Sequence, residues 1–275
     1  MKTTKTLLLC CAFYAGNATA QSLRYAMATP YLGLSAYSSL QADPFSFTGN
    51  PAALTGMKHA GAGVYGERRF LLAETSAYCF AAAFPGKMGH FGLKLNYAGF
   101  KNFNENSIGL AYARNLGPKM ALGIQFNHYG YRIPAYGNAS VFNFEAGALV
   151  RFTPKLTGGI HIYNPVGGKL GKTGNEKLAS AYRVGFGFDA SRDFFVGTQV
   201  SKEEDKPVDV VAGMQYRFAR HFFARGGISS ATTTAFMGAG TGWSNLRFDV
   251  SVSYHPQLGI SPGILLIMDF KKAEE

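Results

Sequence analysis

The chain lacks most of what would fix a small exported domain by covalent or metal chemistry. It has three cysteines, and Cys10 and Cys11 fall inside an N-terminal apolar stretch, so Cys79 stands alone in the rest of the chain. That excludes a disulfide or a cysteine-based metal site within one mature chain. The histidines His59, His90, His128, His161, His221 and His255 form neither H-x-x-x-H nor H-E-x-x-H, so no zinc motif is present and no cofactor is expected. Beyond the N-terminal stretch no run of 18 or more consecutive apolar residues exists, which excludes a spanning helix. No repeat of 40–50 residues is visible, which counts against a propeller. There is one tryptophan, against 34 Gly, 23 Phe and 15 Tyr.

What the chain does have is alternation. From residue 59 to Phe270, apolar residues trade places with small or polar ones, in segments of roughly ten residues. Leu246, Phe248, Val250, Val252 and Tyr254 share one face, and Arg247, Asp249, Ser251, Ser253 and His255 the other. Tyr182, Val184, Phe186 and Phe188 stand opposite Arg183, Gly185, Gly187 and Asp189. One face is aromatic-rich and the other is glycine with scattered polar groups, which is the pattern of strands that meet lipid outside and a polar lumen inside. The expected fold is therefore all-β, a transmembrane antiparallel β-barrel of about fourteen strands.

Residues 1–20 read as an export signal. Lys2 and Lys5 make a positive start, Leu7 to Phe13 a short apolar core, and Ala18-Thr19-Ala20 a cleavage site. Residues 21–58 lack alternation and are the right size for an N-terminal hatch inside the lumen, with Leu34, Phe45, Phe47 and Leu54 among its apolar anchors. In that segment Asn50 is placed to cap a short helix whose first residue is Pro51, and Gly56 to end it. Residues 59–275 are the barrel. Its strands are expected near 59–67, 74–84, 88–99, 106–114, 119–131, 139–152, 156–163, 179–189, 193–201, 208–218, 221–229, 234–241, 245–254 and 260–270. Tight turns such as 85–87, 116–118 and 153–155 are expected to alternate with longer connections at 101–106, 132–138, 164–178, 202–207 and 255–261. The tight ones belong in the periplasm and the longer ones outside.

Other motifs carry less. Gly61-Ala62-Gly63-Val64-Tyr65-Gly66 spells G-x-G-x-x-G, but Glu67-Arg68-Arg69 follows it rather than a helix, so it reads as a glycine-lined first strand. Gly167 to Thr173 is one residue short of a phosphate loop and reads as a surface loop. Ser253, His255 and Asp249 share a strand face and are the one constellation that could serve a lipid-modifying enzyme, although same-face neighbours lie about 7 Å apart. The formal charge is +11, and its excess is expected to be dispersed over turns, loops and wall. No nucleic-acid footprint is expected. Anionic lipopolysaccharide and outer-membrane lipid are the natural neighbours.

The expected lumen-facing polar residues are Lys94, Asn96, Gln125, Asn143, Glu145, Arg151, Arg183, Arg217, Arg247 and Asp249, with Asn127, Asp189, Gln199, Gln215 and Arg225 on the same inner face. They serve either a hydrogen-bonded lumen network or a polar conduit.

The run Ala42-Asp43-Pro44-Phe45-Ser46-Phe47-Thr48-Gly49-Asn50-Pro51-Ala52-Ala53-Leu54 resembles the N-terminal signature of FadL-type outer-membrane barrels. It is more closely similar to the PorV and PorQ barrels of the type IX secretion system of Bacteroidota. The resemblance is specific over about fifteen residues and architectural elsewhere. It implies fourteen strands, a hatch whose turn is Asn50, Pro51 and Ala52, and no enzymatic activity. It further implies a transport-type or secretion-accessory role, with an apolar small molecule or secretion-machinery proteins as partners. The expected location is the outer membrane, with the signal cleaved after Ala20. A structural or surface-interaction barrel with a closed lumen is the alternative, and a lipid-modifying barrel a more distant one.

Overall fold

The computed structural model describes residues 31–134, 137–167, 169–170, 176–204, 206–219 and 221–270. The expected export signal, most of the 167–173 run and the tail from Lys271 lie outside the described residues.

Fourteen strands close into one antiparallel barrel. In chain order they are β1 (Gly61–Arg68), β2 (Ser76–Gly86), β3 (Gly89–Phe100), β4 (Phe103–Asn115), β5 (Met120–Ile133), β6 (Gly137–Arg151) and β7 (Leu156–Tyr163). A small separate hairpin, β8 (Lys169–Leu170) with β9 (Glu176–Lys177), follows. The wall resumes with β10 (Ala181–Asp189), β11 (Phe194–Glu203), β12 (Asp209–Arg217), β13 (Phe222–Ser229), β14 (Thr234–Trp243), β15 (Leu246–His255) and β16 (Gly259–Asp269). Each wall strand pairs with its chain neighbours, and β1 also pairs with β16, from Gly61 opposite Asp269 to Glu67 opposite Gly263. Closure leaves no free edge, so every wall strand has a partner on both sides. The end carrying Gly61 and Asp269 is called the near end below, and the opposite one the far end.

The period-two pattern becomes the two surfaces of the wall. On β15, Phe248 and Val250 are exposed while Asp249, Ser251 and Ser253 are buried. Exposed Leu266 and Met268 alternate with buried Leu265 and Ile267 on β16. The barrel is thus inverted relative to a soluble protein, with large apolar side chains outside.

Three connections differ from expectation. β15 runs to His255 and β16 starts at Gly259, so the expected longer connection at 255–261 is the three-residue turn 256–258. β4 begins at Phe103, so the expected longer loop at 101–106 is a two-residue turn, Lys101–Asn102. Likewise β5 runs on to Ile133 and β6 starts at Gly137, which shortens the next far-end connection. The polar run Asn104-Glu105-Asn106 looked like loop, but Glu105 and Ser107 point inward and are buried, and the ladder continues from Asn104 opposite Arg132. Strands here extend past the apolar band, so polar residues on the outer face such as Asn106 meet water. Gly99, at φ +103, takes the left-handed backbone that glycine adopts freely, four residues before the strand resumes on the other arm of the hairpin. The long far-end connection is 164–180, which carries the β8–β9 hairpin.

The core lies between the wall and the segment that precedes it. Residues 31–56 run inside the barrel as α1 (Tyr31–Leu34), a 3-10 turn at Ser35–Tyr37, α2 (Ser46–Gly49) and a 3-10 turn at Pro51–Gly56. Leu34, Tyr37, Phe45, Phe47 and Leu54 are all but fully buried and pack against inward wall residues such as Ala81, Ala111, Leu149, Phe195 and Leu265. Burying each such aromatic or leucine side chain stabilises by about 1.5–3 kcal/mol.

Candidate functional site

The site is the filled lumen, and it is built from small residues upward. Where the internal segment touches the wall, the wall offers glycine. A Cβ on Gly123 would overlap the Pro51–Ala52 peptide, and one on Gly147 would overlap the Asn50 side chain. One on Gly185 would overlap the Tyr37 ring. These glycines are required for close approach of another backbone or ring.

Asn50 holds the turn at three points. Its Oδ1 accepts from the Ala52 N–H at 3.0 Å, which caps the turn that Pro51 starts. Its Nδ2 donates to the wall carbonyls of Ala148 at 3.3 Å and Ile160 at 3.0 Å. Asn50 and Ala52 have no exposed surface, and Pro51 is buried. Asn50→Ala loses the cap and both wall bonds, whereas Asn50→Asp keeps an acceptor for the cap and loses the two wall bonds.

Two clasps tie the segment to the wall. In the first, Asp43 pairs with Arg247 at 3.0 Å, and Arg247 pairs with Asp249 at 2.7 Å. Asp249 also pairs with Arg225 at 3.1 Å, Arg225 donates to Gln215 at 2.6 Å, and Gln215 donates to Gln41 at 2.5 Å. Gln41 and Asp43 come from the segment, and the other four from β12, β13 and β15, so the chain of contacts leaves the segment, crosses the wall and returns. The Arg225 and Arg247 guanidiniums lie 4.6 and 5.1 Å from the centroid of the Phe223 ring. Two arginines on two carboxylates balance the buried charge, which an unpaired ion could not. In the second clasp, Asp189 on β10 accepts from Ser38 Oγ at 2.6 Å and from the Ser39 N–H and Oγ, each at 2.9 Å. The Tyr37 hydroxyl beside it donates to Gln199 at 3.1 Å. Burial pushes the Tyr37 phenol up to about 12, against the opposing pull of Arg183, so it remains a donor at ordinary pH.

A second network lies mid-wall, farther from the near end than the clasps. Glu145, buried on β6, accepts from His161 at 2.8 Å, Gln125 and Asn127 at 2.9 Å each, and Lys94 at 3.5 Å. Asn127 also donates to Asn143, which donates to the Tyr163 hydroxyl. Asn96 donates to Ser107 at 3.0 Å. Arg183 stands opposite His161 in the β7–β10 ladder.

The residues expected to face the lumen thus fall into three places. Lys94, Asn96, Gln125, Asn143, Glu145 and Arg183 lie mid-wall and toward the far end, and Arg247 and Asp249 form the first clasp. Arg151 and Arg217 sit at the near-end rim, apart from both networks, where Arg151 donates to Asn115 and to the Pro118 carbonyl. Sequence reasoning missed Asp43, Gln41, Ser38 and Tyr37 as anchors. Asp43 lay within the run Ala42 to Leu54, and an acidic residue beside a proline in an otherwise apolar turn was the available signal. The Ser253, His255 and Asp249 constellation does not assemble. Asp249 is engaged by two arginines, and His255 Nδ1 accepts from the N–H groups of Gln257 and Leu258 at the far-end turn.

The wall is continuous around the site. On its outside, the β16–β1–β2–β3 surface carries a notch of about 440 Å³ over Gly66, lined by outward Val64, Tyr78, Phe80, Leu95, Ile264 and Leu266. Gly66 leaves the floor low because it has no side chain there.

No described protein family and no curated protein matches this chain by sequence. Among solved structures it is similar to the toluene transporter TodX of Pseudomonas putida, with a TM-score of 0.63 and 9% identity over 83% of this chain and 94% of that one. A Pseudomonas aeruginosa FadL homologue gives 0.59 at 13% identity, covering 87% and 98%. The deltaS2 mutant of TodX, described as a monoaromatic hydrocarbon channel, gives 0.64 at 8% identity, covering 86% and 100%. This chain therefore shares the fold of the FadL-type outer-membrane barrels.

Proposed function

We propose that this protein is an exported outer-membrane barrel of the transport type, with residues 1–20 removed after Ala20 and residues 21–58 acting as a hatch in the lumen. The observation that carries the reading is how the segment is held. A wall strand is fixed by a ladder of backbone bonds, whereas residues 38–50 are fixed to the wall through Asp43–Arg247, Ser38 and Ser39 on Asp189, and Asn50 on two carbonyls. Such side-chain contacts exchange for water without unpairing a single wall strand, so the hatch is separable from the barrel that surrounds it. The proposed cargo is a small apolar molecule. The apolar notch over Gly66 faces the lipid, where such a molecule would concentrate, and the fold is shared with a toluene transporter. No catalytic role is proposed.

A second reading is favoured by the unbroken ladder and the filled lumen, which suit a docking barrel. In this version the chain serves type IX secretion as PorV- and PorQ-type barrels do, and its partners are secretion-machinery proteins and lipopolysaccharide. One experiment separates the two. The double variant Asp43→Ala, Asp189→Ala is reconstituted beside the parent chain in planar bilayers and in vesicles loaded for uptake of a monoaromatic probe. The transport reading expects higher conductance and faster uptake in the variant. Equal, low values for both proteins, with the barrel folded, would leave the docking reading.

A further inference from the structure

The positive charge is not dispersed. At the far end charges of both signs are interspersed: Arg69 pairs with Glu67 and Lys206 with Glu203, while Glu74, Glu204 and Asp209 share that end with Arg68, Lys101, Arg132 and Lys202. The near end is different. Four consecutive near-end turns, which join β2 through β11 and so span eight of the fourteen wall strands, carry Lys87, Lys119, Lys155 and Arg192, with Arg114 in the last residues of β4 beside Lys119's turn. Asp193 is the acidic residue among them. All five cations are exposed, and none joins an ion pair among the described residues. The turns are two to four residues long, so the cationic groups stay close to the wall.

Just inside these turns the outer face is aromatic. Phe84 and Phe91 flank Lys87, Tyr112 precedes Arg114, Phe152 precedes Lys155, and Phe188 precedes Arg192, all exposed. A band of exposed rings followed by cations marks the depth at which a bilayer passes from hydrocarbon to headgroup, because the ring takes the boundary and the long side chain reaches the phosphate. A protein partner would cover one sector. An arc over more than half of the perimeter, at one depth, matches a leaflet instead.

We propose that the near-end arc of Lys87, Arg114, Lys119, Lys155 and Arg192 binds the phosphates of anionic glycerophospholipids. The inference rests on the membrane reading above and adds to it the lipid class and the end that meets it. The even strand count puts both ends of the wall on one side; with that side periplasmic, as the short turns of the near end indicate, this end meets the inner leaflet, so lipopolysaccharide is not its ligand.

The test uses the full mature chain in neutral detergent, titrated with phosphatidylglycerol, phosphatidylcholine or lipid A and read by native mass spectrometry. The expected result is about tenfold tighter retention of phosphatidylglycerol than of phosphatidylcholine. That preference should vanish in the variant Lys87→Gln, Arg114→Gln, Lys119→Gln, Lys155→Gln, Arg192→Gln and persist in the far-end control Lys101→Gln, Lys202→Gln, Lys206→Gln. Equal retention of the two phospholipids by the parent, a preference that survives the five substitutions, or its equal loss in the control would overturn the proposal. Lipid A bound at the arc in place of phosphatidylglycerol would overturn it too. Heat-shifted gel mobility of each variant, scored beforehand, shows that the barrel is closed. If the parent chain itself shows no heat shift and no membrane insertion, the membrane reading fails rather than the lipid assignment.

Discussion

Asp249 shows how much one residue holds in this protein. It is buried and engages Arg225 and Arg247 together, so its removal takes a carboxylate from two guanidiniums at once. Breaking a buried pair from one side costs about 3–5 kcal/mol because the other charge stays behind. Asp249→Asn should therefore lower unfolding stability in lipid vesicles by about 3 kcal/mol, read from urea titrations of tryptophan fluorescence. Loss of less than about 0.5 kcal/mol would mean that water already screens the pair. The wall's polarity is tested one residue along. Val250 is half exposed on the outer face, so Val250→Arg near the membrane midplane should cost about 2–4 kcal/mol, and Val250→Leu almost nothing. Similar costs for the two substitutions would contradict a lipid-facing Val250.

At the scale of the element, the hatch and the wall are fitted to each other through absent side chains. Gly123 and Gly147 give way to the Asn50-Pro51-Ala52 turn, and a side chain at either would displace it. Gly123→Val with Gly147→Val should leave a closed barrel with the hatch dislodged, visible as raised single-channel conductance with unchanged heat-shifted mobility. Deleting residues 33–56 should raise conductance at least as far. A folded deletion variant that conducts no better than the parent would show that the mid-wall network around Glu145 closes the lumen by itself, and the transport reading would lose its main support.

At the scale of the whole molecule, closure by the β1–β16 ladder predicts how the protein behaves outside the cell. A closed barrel has no edge from which to unzip, so the unheated protein should run as a compact band on gels and shift only on boiling. The apolar exterior predicts sedimentation with outer membranes and resistance to carbonate extraction. A predominant soluble periplasmic pool would sink the assignment to the membrane.

The strand count and the two faces were legible in the chain because alternation is a local property, read from neighbours on a single strand. Phe248, Val250 and Asp249 declare their sides without reference to any other part of the fold. The capped turn at Asn50-Pro51 was legible for the same reason, since a cap acts over two residues. What the chain could not disclose by itself depends on distant residues meeting. Asp43 reaches Arg247 across 204 positions, and Asp189 reaches Ser38 across 151, so only closure of the barrel around the segment makes them partners. The extension of β4 to Phe103 was hidden because Glu105 looks like loop until β3 and β5 flank it. The gathering of cations at one end was hidden too. Lys87, Lys119, Lys155 and Arg192 lie tens of residues apart, and up-and-down connectivity is what returns each of their turns to the same rim.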